Sequence, residues 1–138
     1  MKVVLASKNR HKWEEIRKIT EKFDMELVME SDLGVDIDVE ETGTTFAENA
    51  ELKARAVMEA SGLPAIADDS GLCVDWLQGG PGIYSARYGG DLDSDEARCR
   101  LLLQNMRGAT DRSAHFHCAI CCLFPNGDKL TAEGDCFG

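Results

Sequence analysis

The sequence lacks the features of membrane, secreted and polynucleotide-binding proteins. No run approaches the ~18 consecutive apolar residues of a membrane-spanning helix, and the apolar run at 3–6 is too short for a signal peptide. Basic residues are also scarce, since 15 Lys and Arg stand against 25 Asp and Glu, for a net charge of −10. An acidic surface repels a polyanion. We therefore expect a cytoplasmic protein with neither a membrane nor a nucleic-acid polymer as partner.

The chain also lacks internal repeats, linkers and low-complexity tracts. Its 138 residues, 43% of them hydrophobic, are enough to bury a core without disulfides or metals as staples. We therefore predict one domain that spans residues 1–138.

Cysteine is the residue type that is not scarce, with six in the chain. Cys118, Cys121 and Cys122 lie in a segment that alternates like a strand, where positions three apart point to opposite faces. Cys118 and Cys121 are therefore poorly placed to share one metal ion. We expect buried free thiols, with a zinc site or a disulfide as the alternatives.

Apolar strand-like segments alternate with amphipathic helical ones. Strands are predicted at 2–6, 25–29, 65–67, 72–76, 114–124 and 129–133, and helices at 10–22, 45–61 and 94–107. The first helix is expected to bury Trp13, Ile16, Ile19 and Phe23. The second helix begins with a capping box at Thr45 and is ended by Gly62. The pattern predicts an α/β fold with a mixed sheet.

Lys53 stands out on the second helix. At 3.6 residues per turn it falls on the apolar face with Phe46, Ala50 and Val57, while the other charges of the helix mostly face outward. An inward lysine either extends its ammonium group to water or meets a negative group. We favour a phosphate in a neighbouring cleft as that group.

A second candidate site is the loop between the first strand and the first helix, at 7–12. In α/β folds, ligands collect beyond the carboxyl ends of strands, where helix N-termini present N–H groups to anions. Ser7 and Asn9 add neutral donors, and Lys12 adds charge one turn into the helix. The alternative is an ordinary surface loop.

Two pairs of carboxylates form the third candidate. Glu40 and Glu41 lie in an acidic loop, and Asp68 and Asp69 follow a short buried strand. Adjacent carboxylates repel each other unless a cation or a proton intervenes, and oxygen ligands suit Mg²⁺ or Mn²⁺. The alternative is a solvated turn at 68–71. Together with Lys12 and Lys53, the carboxylates indicate a phosphate site with its metal.

Four segments carry a resemblance to a known family. They are ASKNRHK at 6–12, EETGTTFAENA at 40–50, ADDSG at 67–71 and PGIYSARY at 81–88. Their order and spacing resemble the inosine triphosphate pyrophosphatase family, which hydrolyses non-standard purine nucleotides such as ITP, dITP and XTP to the monophosphate and pyrophosphate. The resemblance implies an elongated mixed sheet flanked by helices, two lobes with a central cleft, and a homodimer.

The resemblance also implies roles for individual residues. Asp69 would be the general base, and it would bind Mg²⁺ (or Mn²⁺) with Glu41, supported by Glu40 and Asp68. The implied substrate-binding residues are Ser7, Lys8, Asn9, Arg10, His11, Lys12, Lys53 and Ser70. Of these, Ser7, Asn9, Lys12 and Lys53 would hold the triphosphate, and residues 82–88 would shape the cleft and the dimer contact.

Members of that family generally continue well beyond the position of Gly138, so the resemblance implies that the C-terminal part of the usual fold is missing. The motifs expected there belong to the purine-recognition side of the cleft. Two alternatives to an active pyrophosphatase follow: a catalytically weak or inactive nucleotide- or metal-binding module, and a metal phosphatase that releases orthophosphate.

Overall fold

The computed structural model describes residues 1–90 and 94–138, in which helices and strands alternate as predicted. The strands are β1 Lys2–Leu5, β2 Glu26–Met29, β3 Ala65–Val74, β4 Gly80–Pro81, β5 Ala114–Leu123 and β6 Lys129–Phe137. The helices are α1 Arg10–Thr20, α2 Phe46–Ser61 and α3 Asp95–Asn105, and short 3-10 turns occupy Glu30–Leu33, Asp75–Leu77 and Gly82–Arg87. Within the described ranges, no helix is both long and apolar enough to cross a bilayer.

One mixed sheet joins the six strands in the order β2-β1-β3-β5-β6, with β4 beside β3. β1 pairs in parallel with β2 and with β3, whereas β4 runs antiparallel to β3. Because β1 lies inside the sheet and is covered on both faces, Val3, Val4 and Leu5 are fully buried. The predicted α/β fold with a mixed sheet is confirmed.

The helices α1 and α2 cover different faces of the sheet. Ala67 of β3 packs in one apolar cluster with Val57 of α2. Ile66, the preceding residue of β3, packs in a second cluster with Trp13 and Ile16 of α1. This division follows from the alternation of side chains along a strand. The sheet is thus flanked by helices, as predicted.

The chain divides into two compact units. The first contains Met1–Asp69 and Ala119–Glu133, and the second contains Ser70–Cys118 and Gly134–Gly138. The first unit therefore holds β1, β2, α1, α2 and the N-terminal half of β3, whereas the second holds β4 and α3. A single domain over 1–138 and a cleft between two lobes stay predictions.

In the second unit, the Ser85 hydroxyl group holds the turn Gly82–Arg87 against β3. It accepts a hydrogen bond from Leu72 N at 2.9 Å and donates one to the carbonyl oxygen of Gly82 at 2.7 Å. The glycine-rich segment of the sequence is therefore anchored by a side chain as well as by β4.

Two of the predicted helix starts are confirmed by their caps. Thr45 Oγ accepts from the backbone N–H of Glu48 at 3.1 Å, and Ser94 caps α3 in the same way. The return half of the capping box differs, because the Glu48 carboxylate accepts from the N–H of Thr44 at 2.7 Å instead of from the cap residue. Gly62 ends α2 in the left-handed conformation, at φ 72°.

The prediction that the strand at 65–67 ends at 68–71 was wrong, and so was the alternative of a solvated turn there. β3 runs without interruption from Ala65 to Val74, and the predicted partner strand at 72–76 is mostly its continuation. The turn-forming composition is overridden because Asp68, Asp69 and Gly71 are buried and extended in the sheet. The partner of the C-terminal part of β3 is β4.

The prediction of which residues α1 buries is confirmed for two of the four. Trp13 and Ile16 pack on the core, but Ile19 and Phe23 are 62% and 63% exposed. Each three-residue step turns the helix face by about 60°, so Ile19 has left the buried stripe and Thr20 takes the inward position. Phe23 lies beyond the end of α1 at Thr20.

All six cysteines are free thiols, as predicted. Cys121 is buried in the core and Cys118 and Cys122 are half-buried, but Cys99 and Cys136 are exposed. Burial raises the pKa of the Cys121 and Cys122 thiols, which favours their protonated form.

The cap of α2 yields a prediction about stability. We expect Thr45→Ala to lower the free energy of unfolding by about 1 kcal/mol, because the N–H of Glu48 loses its acceptor. Urea unfolding with an unchanged m-value is the measurement. Thr45→Ser is the matched control, and its free energy of unfolding should stay near that of the wild type because it keeps the hydroxyl group. Equal losses of stability in the two variants would contradict a role for the cap.

Candidate functional site

The loop between β1 and α1 is organised by its own side chains. Asn9 caps α1, because its Oδ1 accepts from the N–H groups of His11 at 3.0 Å and Lys12 at 3.4 Å. Ser7 Oγ in turn accepts from the N–H of Asn9 at 3.1 Å. The loop therefore fixes where α1 begins, and with it the position of Lys12 on the first turn.

Lys12 is paired with a buried carboxylate. Its Nζ lies 2.9 Å from Asp68 Oδ1, and the two side chains are 28% and 10% exposed. An ion pair so little exposed is screened weakly by solvent. The first turn of α1 thus meets β3 at Asp68, which lies within the strand and not beyond its end as predicted.

Lys53 also meets a carboxylate. Its Nζ lies 3.2 Å from Glu41 Oε1, with side-chain exposures of 22% and 27%. The ammonium group therefore does not simply extend to water, which was the alternative to a negative partner. This pair joins α2 to the acidic loop.

Asp68 and Asp69 face different helices. Consecutive side chains on a strand point to opposite faces, and Ile66, two residues before Asp68, packs with Trp13 of α1. Ala67, two residues before Asp69, packs against α2 instead. Asp68 thus faces α1 and its Lys12, while Asp69 faces α2, which carries Lys53.

Asp69 has the more perturbed carboxyl group of the two. Its pKa is raised, primarily because it is buried, and the negative charge of Glu41 adds to the effect. The Lys53 ammonium group and the Asn49 amide act in the opposite direction. These effects place the charged groups of Lys53 and Glu41 within electrostatic reach of Asp69.

Asn49 is a site residue to which the sequence analysis assigned no role. It is fully buried on α2, and its Oδ1 accepts from the backbone N–H of Gly43 at 2.8 Å. A Cβ atom at Gly43 would lie 2.7 Å from that oxygen, so the approach requires glycine. The signal was available: like Lys53, Asn49 is a polar residue on the apolar face of a helix.

A cavity of about 250 Å³ adjoins these groups, and Ser7, Lys8 and Lys53 line it. Pockets for whole drug-sized ligands hold roughly 300–1,000 Å³. The cavity therefore suits part of a nucleotide, such as its phosphate groups, better than an entire one.

Lys8, which also lines this cavity, is held by the acidic loop. Its Nζ lies 2.9 Å from Asp38 Oδ1 and 3.1 Å from Asp36 Oδ1. These hydrogen bonds raise the pKa of Lys8 to about 12. Burial raises the pKa of the neighbouring Glu30 carboxyl group. A phosphate contact by Lys8 would have to compete with two carboxylates.

The remaining predicted site residues lie outside the two little-exposed lysine–carboxylate pairs. The Arg10 guanidinium group lies over the Trp13 ring, 5.5 Å from its centroid. His11 and Glu40 are exposed. Ser70 is exposed and is the first residue of the second unit. Their roles in binding stay predictions.

A larger cavity, of about 550 Å³, lies elsewhere in the first unit. Its charged lining consists of Glu48, Glu51, Glu133 and Lys129. Three carboxylates against one ammonium group make it unfavourable for a polyanion. The smaller cavity, beside Lys53, is the better place for phosphate.

The carboxylates fit a divalent cation. Asp69 Oδ2 is buried and has no hydrogen-bond partner among the described residues, so it retains its capacity to bind a cation. Nowhere in the described parts of the chain do three or more His, Cys, Asp or Glu side chains form a complete metal cage. Mg²⁺ does not need one, because it is usually bound by one or two carboxylates, water and substrate phosphates.

The raised pKa of Asp69 predicts a pH-dependent effect of Asp69→Asn. Folding favours the protonated carboxyl group, so Asp69 stabilises the fold below its ordinary pKa of 3.8 and loses that contribution as pH rises through the folded value. We expect Asp69→Asn to raise Tm at pH 7 and to lose this advantage near pH 3.5. Thermal unfolding in a chelating buffer is the measurement.

Glu14→Gln is the control for this experiment, because Glu14 is exposed on α1. It removes one negative charge from a chain of net charge −10 without touching the site. If Glu14→Gln raised Tm at pH 7 as much as Asp69→Asn does, the effect would come from general charge repulsion and not from the local environment of Asp69.

Comparisons with known proteins bear on the family of this chain. The model of the Ham1 family matches residues 3–138. A dITP/XTP pyrophosphatase from Shigella flexneri is 50% identical over 121 residues, which cover 86% of this chain and 61% of that protein. A dITP/XTP pyrophosphatase from Clostridium perfringens is 41% identical over 145 residues, which cover 99% of this chain and 71% of the relative.

A solved structure gives the same result. The Ham1 protein of Staphylococcus aureus superimposes with a TM-score of 0.91 at 43% identity, over 100% of this chain and 71% of that one. The chain spans about three fifths of the Shigella relative, or 61% of its length. The match of the family model over residues 3–138 shows that the chain belongs to the Ham1 family.

Proposed function

We propose that this chain hydrolyses non-standard purine nucleoside triphosphates, such as ITP, dITP and XTP, to the monophosphate and pyrophosphate. The observation that carries the proposal is the grouping of two little-exposed lysine–carboxylate pairs with the buried Asp69. The substrate class comes from the relatives named dITP/XTP pyrophosphatase.

Local charge supports a divalent cation in this reaction. The ammonium groups of Lys12 and Lys53 stand against the carboxylates of Asp68, Asp69 and Glu41. A triphosphate adds further negative charge, so its binding requires additional positive charge. We infer Mg²⁺ for this role, and Mn²⁺ would accept the same oxygen ligands.

Asp69 and Glu41 are the proposed ligands of the cation. Asp69 offers the buried Oδ2 that has no hydrogen-bond partner within the described residues, and Glu41 is held nearby by Lys53. Glu40 and Asp68 are proposed in support. When bound, such a cation acidifies a water molecule and neutralises phosphate charge.

Asp69 is also the proposed general base. Water attacks the α-phosphorus and forms the new P–O bond, its proton passes to the Asp69 carboxylate, and the bond to the pyrophosphate group breaks. Burial raises the pKa of Asp69, which brings it nearer to the working pH and makes it a better acceptor. Lys53 counters part of that shift.

The lysines have an electrostatic role in this proposal. Lys12 and Lys53 exchange their carboxylate partners for phosphate oxygens when substrate binds, and they stabilise the charge that develops on pyrophosphate as it leaves. Ser7, Asn9 and Ser70 add neutral contacts to the phosphates. The carboxylates that the lysines release become available to the cation.

A homodimer and a cytoplasmic location are part of the same proposal. The exposed Tyr84 ring, with the Arg87 guanidinium group 5.3 Å from its centroid, lies in the segment proposed for the dimer contact. Native mass spectrometry reports the oligomeric state directly.

The proposed roles predict specific losses of activity. With Mg²⁺ and ITP, we expect Asp69→Asn to lower kcat/KM by roughly 10²–10⁴, the usual contribution of a general base. Lys53→Met should lower kcat by roughly 10²–10³, because a preorganised charge is lost. Pyrophosphate and orthophosphate are measured separately with ITP, XTP, ATP and GTP.

Lys129→Met is the matched control for Lys53→Met. Lys129 also pairs with a glutamate, at 2.9 Å from Glu51, but on the exposed surface, so its removal should leave turnover unchanged. Release of orthophosphate would indicate a metal phosphatase, and binding without turnover would indicate a nucleotide-binding module. Either result, or full activity of Asp69→Asn, would end the proposal.

A further inference from the structure

Asn49 lies on the inward face of α2 and is hydrogen-bonded to Gly43, in the loop that carries the proposed cation ligand Glu41. It is fully buried and stands one helical turn before Lys53. A buried primary amide has two donors and an acceptor to satisfy, and each unmade bond costs about 1–3 kcal/mol. The partners of these hydrogen bonds therefore indicate what the side chain does.

The amide oxygen holds the acidic loop. It accepts from the backbone N–H of Gly43 at 2.8 Å, and the loop turns just before this point, with Thr42 N donating to the carbonyl oxygen of Glu40 at 3.0 Å. The contact leaves no room for a side chain at Gly43. Glu41, between these fixed points, is thereby directed towards Lys53.

The amide nitrogen is the part of Asn49 that is left without a partner. Asn49 Nδ2 and Asp69 Oδ2 are both buried, and neither has a hydrogen-bond partner within the described residues. Asn49 is buried on α2, and Asp69 lies on the face of β3 that packs against α2. The Asn49 amide lowers the pKa of the Asp69 carboxyl group, as a donor close to it does. An unmatched donor thus lies near an unmatched acceptor.

We propose that Asn49 is a positioning residue, whose amide oxygen sets the loop that carries Glu41 and whose amide nitrogen orients Asp69. One rigid side chain then fixes the separation of the two carboxylates. The consequence for catalysis rests on the proposed function, whereas the physical link between Asn49 and Asp69 does not. Groups that orient ligands in this way affect metal affinity or activity by roughly 10–100-fold.

The first test measures the link without metal or substrate. Asn49→Ala, Asp69→Asn and the double variant are unfolded thermally in a chelating buffer. We expect the Tm shifts of the single variants not to add, because each removes the partner of the other. Additive shifts would overturn the proposal.

The second test separates positioning from stability. With ITP and Mg²⁺, we expect Asn49→Ala to lower kcat roughly 10–100-fold and to raise the half-saturating Mg²⁺ concentration, with little change in KM for ITP. Thr45→Ala is the matched control, because it weakens the same helix without contacting Asp69. A similar loss of kcat in the control would show that Asn49 has only a structural role, and would contradict the proposal.

Asn49→Asp keeps the test decisive if the alanine variant does not fold. It retains the acceptor for Gly43 and the shape of the side chain but removes the NH₂ donor and places a carboxyl group beside Asp69. We expect it to lose kcat as Asn49→Ala does, and wild-type kcat would overturn the proposal. Activity retained in Asp69→Asn would instead refute the proposed function, while the metal-free Tm experiment would still report on the link.

Discussion

Adjacent carboxylates on one buried strand repel each other and lose hydration, and the first unit is arranged around that cost. Asp68 and Asp69, in the middle of β3, are 7% and 8% exposed. Such burial persists only where positive or hydrogen-bonding groups surround the charge. Because the strand alternates, the two carboxylates face different helices. Lys12 of α1 pairs with Asp68, and Lys53 and Asn49 of α2 act on Asp69.

Apolar packing puts these partners in place. α1 is fixed against one face of the sheet by Trp13 and Ile16, and α2 against the other by residues such as Val57. The caps then set where each helix begins, and so which of its residues lie beside Asp68 and Asp69. The charged groups therefore add little to the choice of fold. The hydrophobic pattern determines the architecture, and the architecture brings the charges together.

This division explains what could be predicted from the sequence. α2 could be predicted because its cap, its apolar stripe and its C-terminal glycine all agree, and Lys53 stood out against that stripe. The continuity of β3 could not, because DDSG is typical of a turn and only tertiary partners keep it extended. Asn49 escaped notice because a buried amide finds partners in many ways, and its contact with Gly43 exists only once the loop is folded.

The same constraint relates stability to the proposed chemistry. Asp68 is neutralised by a direct ion pair with Lys12, whereas Asp69 is left with a buried oxygen that has no hydrogen-bond partner within the described residues. A fold selected for stability alone would pair both carboxylates, since an unsatisfied buried acceptor is costly. A carboxylate with an unsatisfied buried oxygen, next to one that is held in an ion pair, is the pattern expected where one carboxylate supports the site and the other is reserved for a ligand.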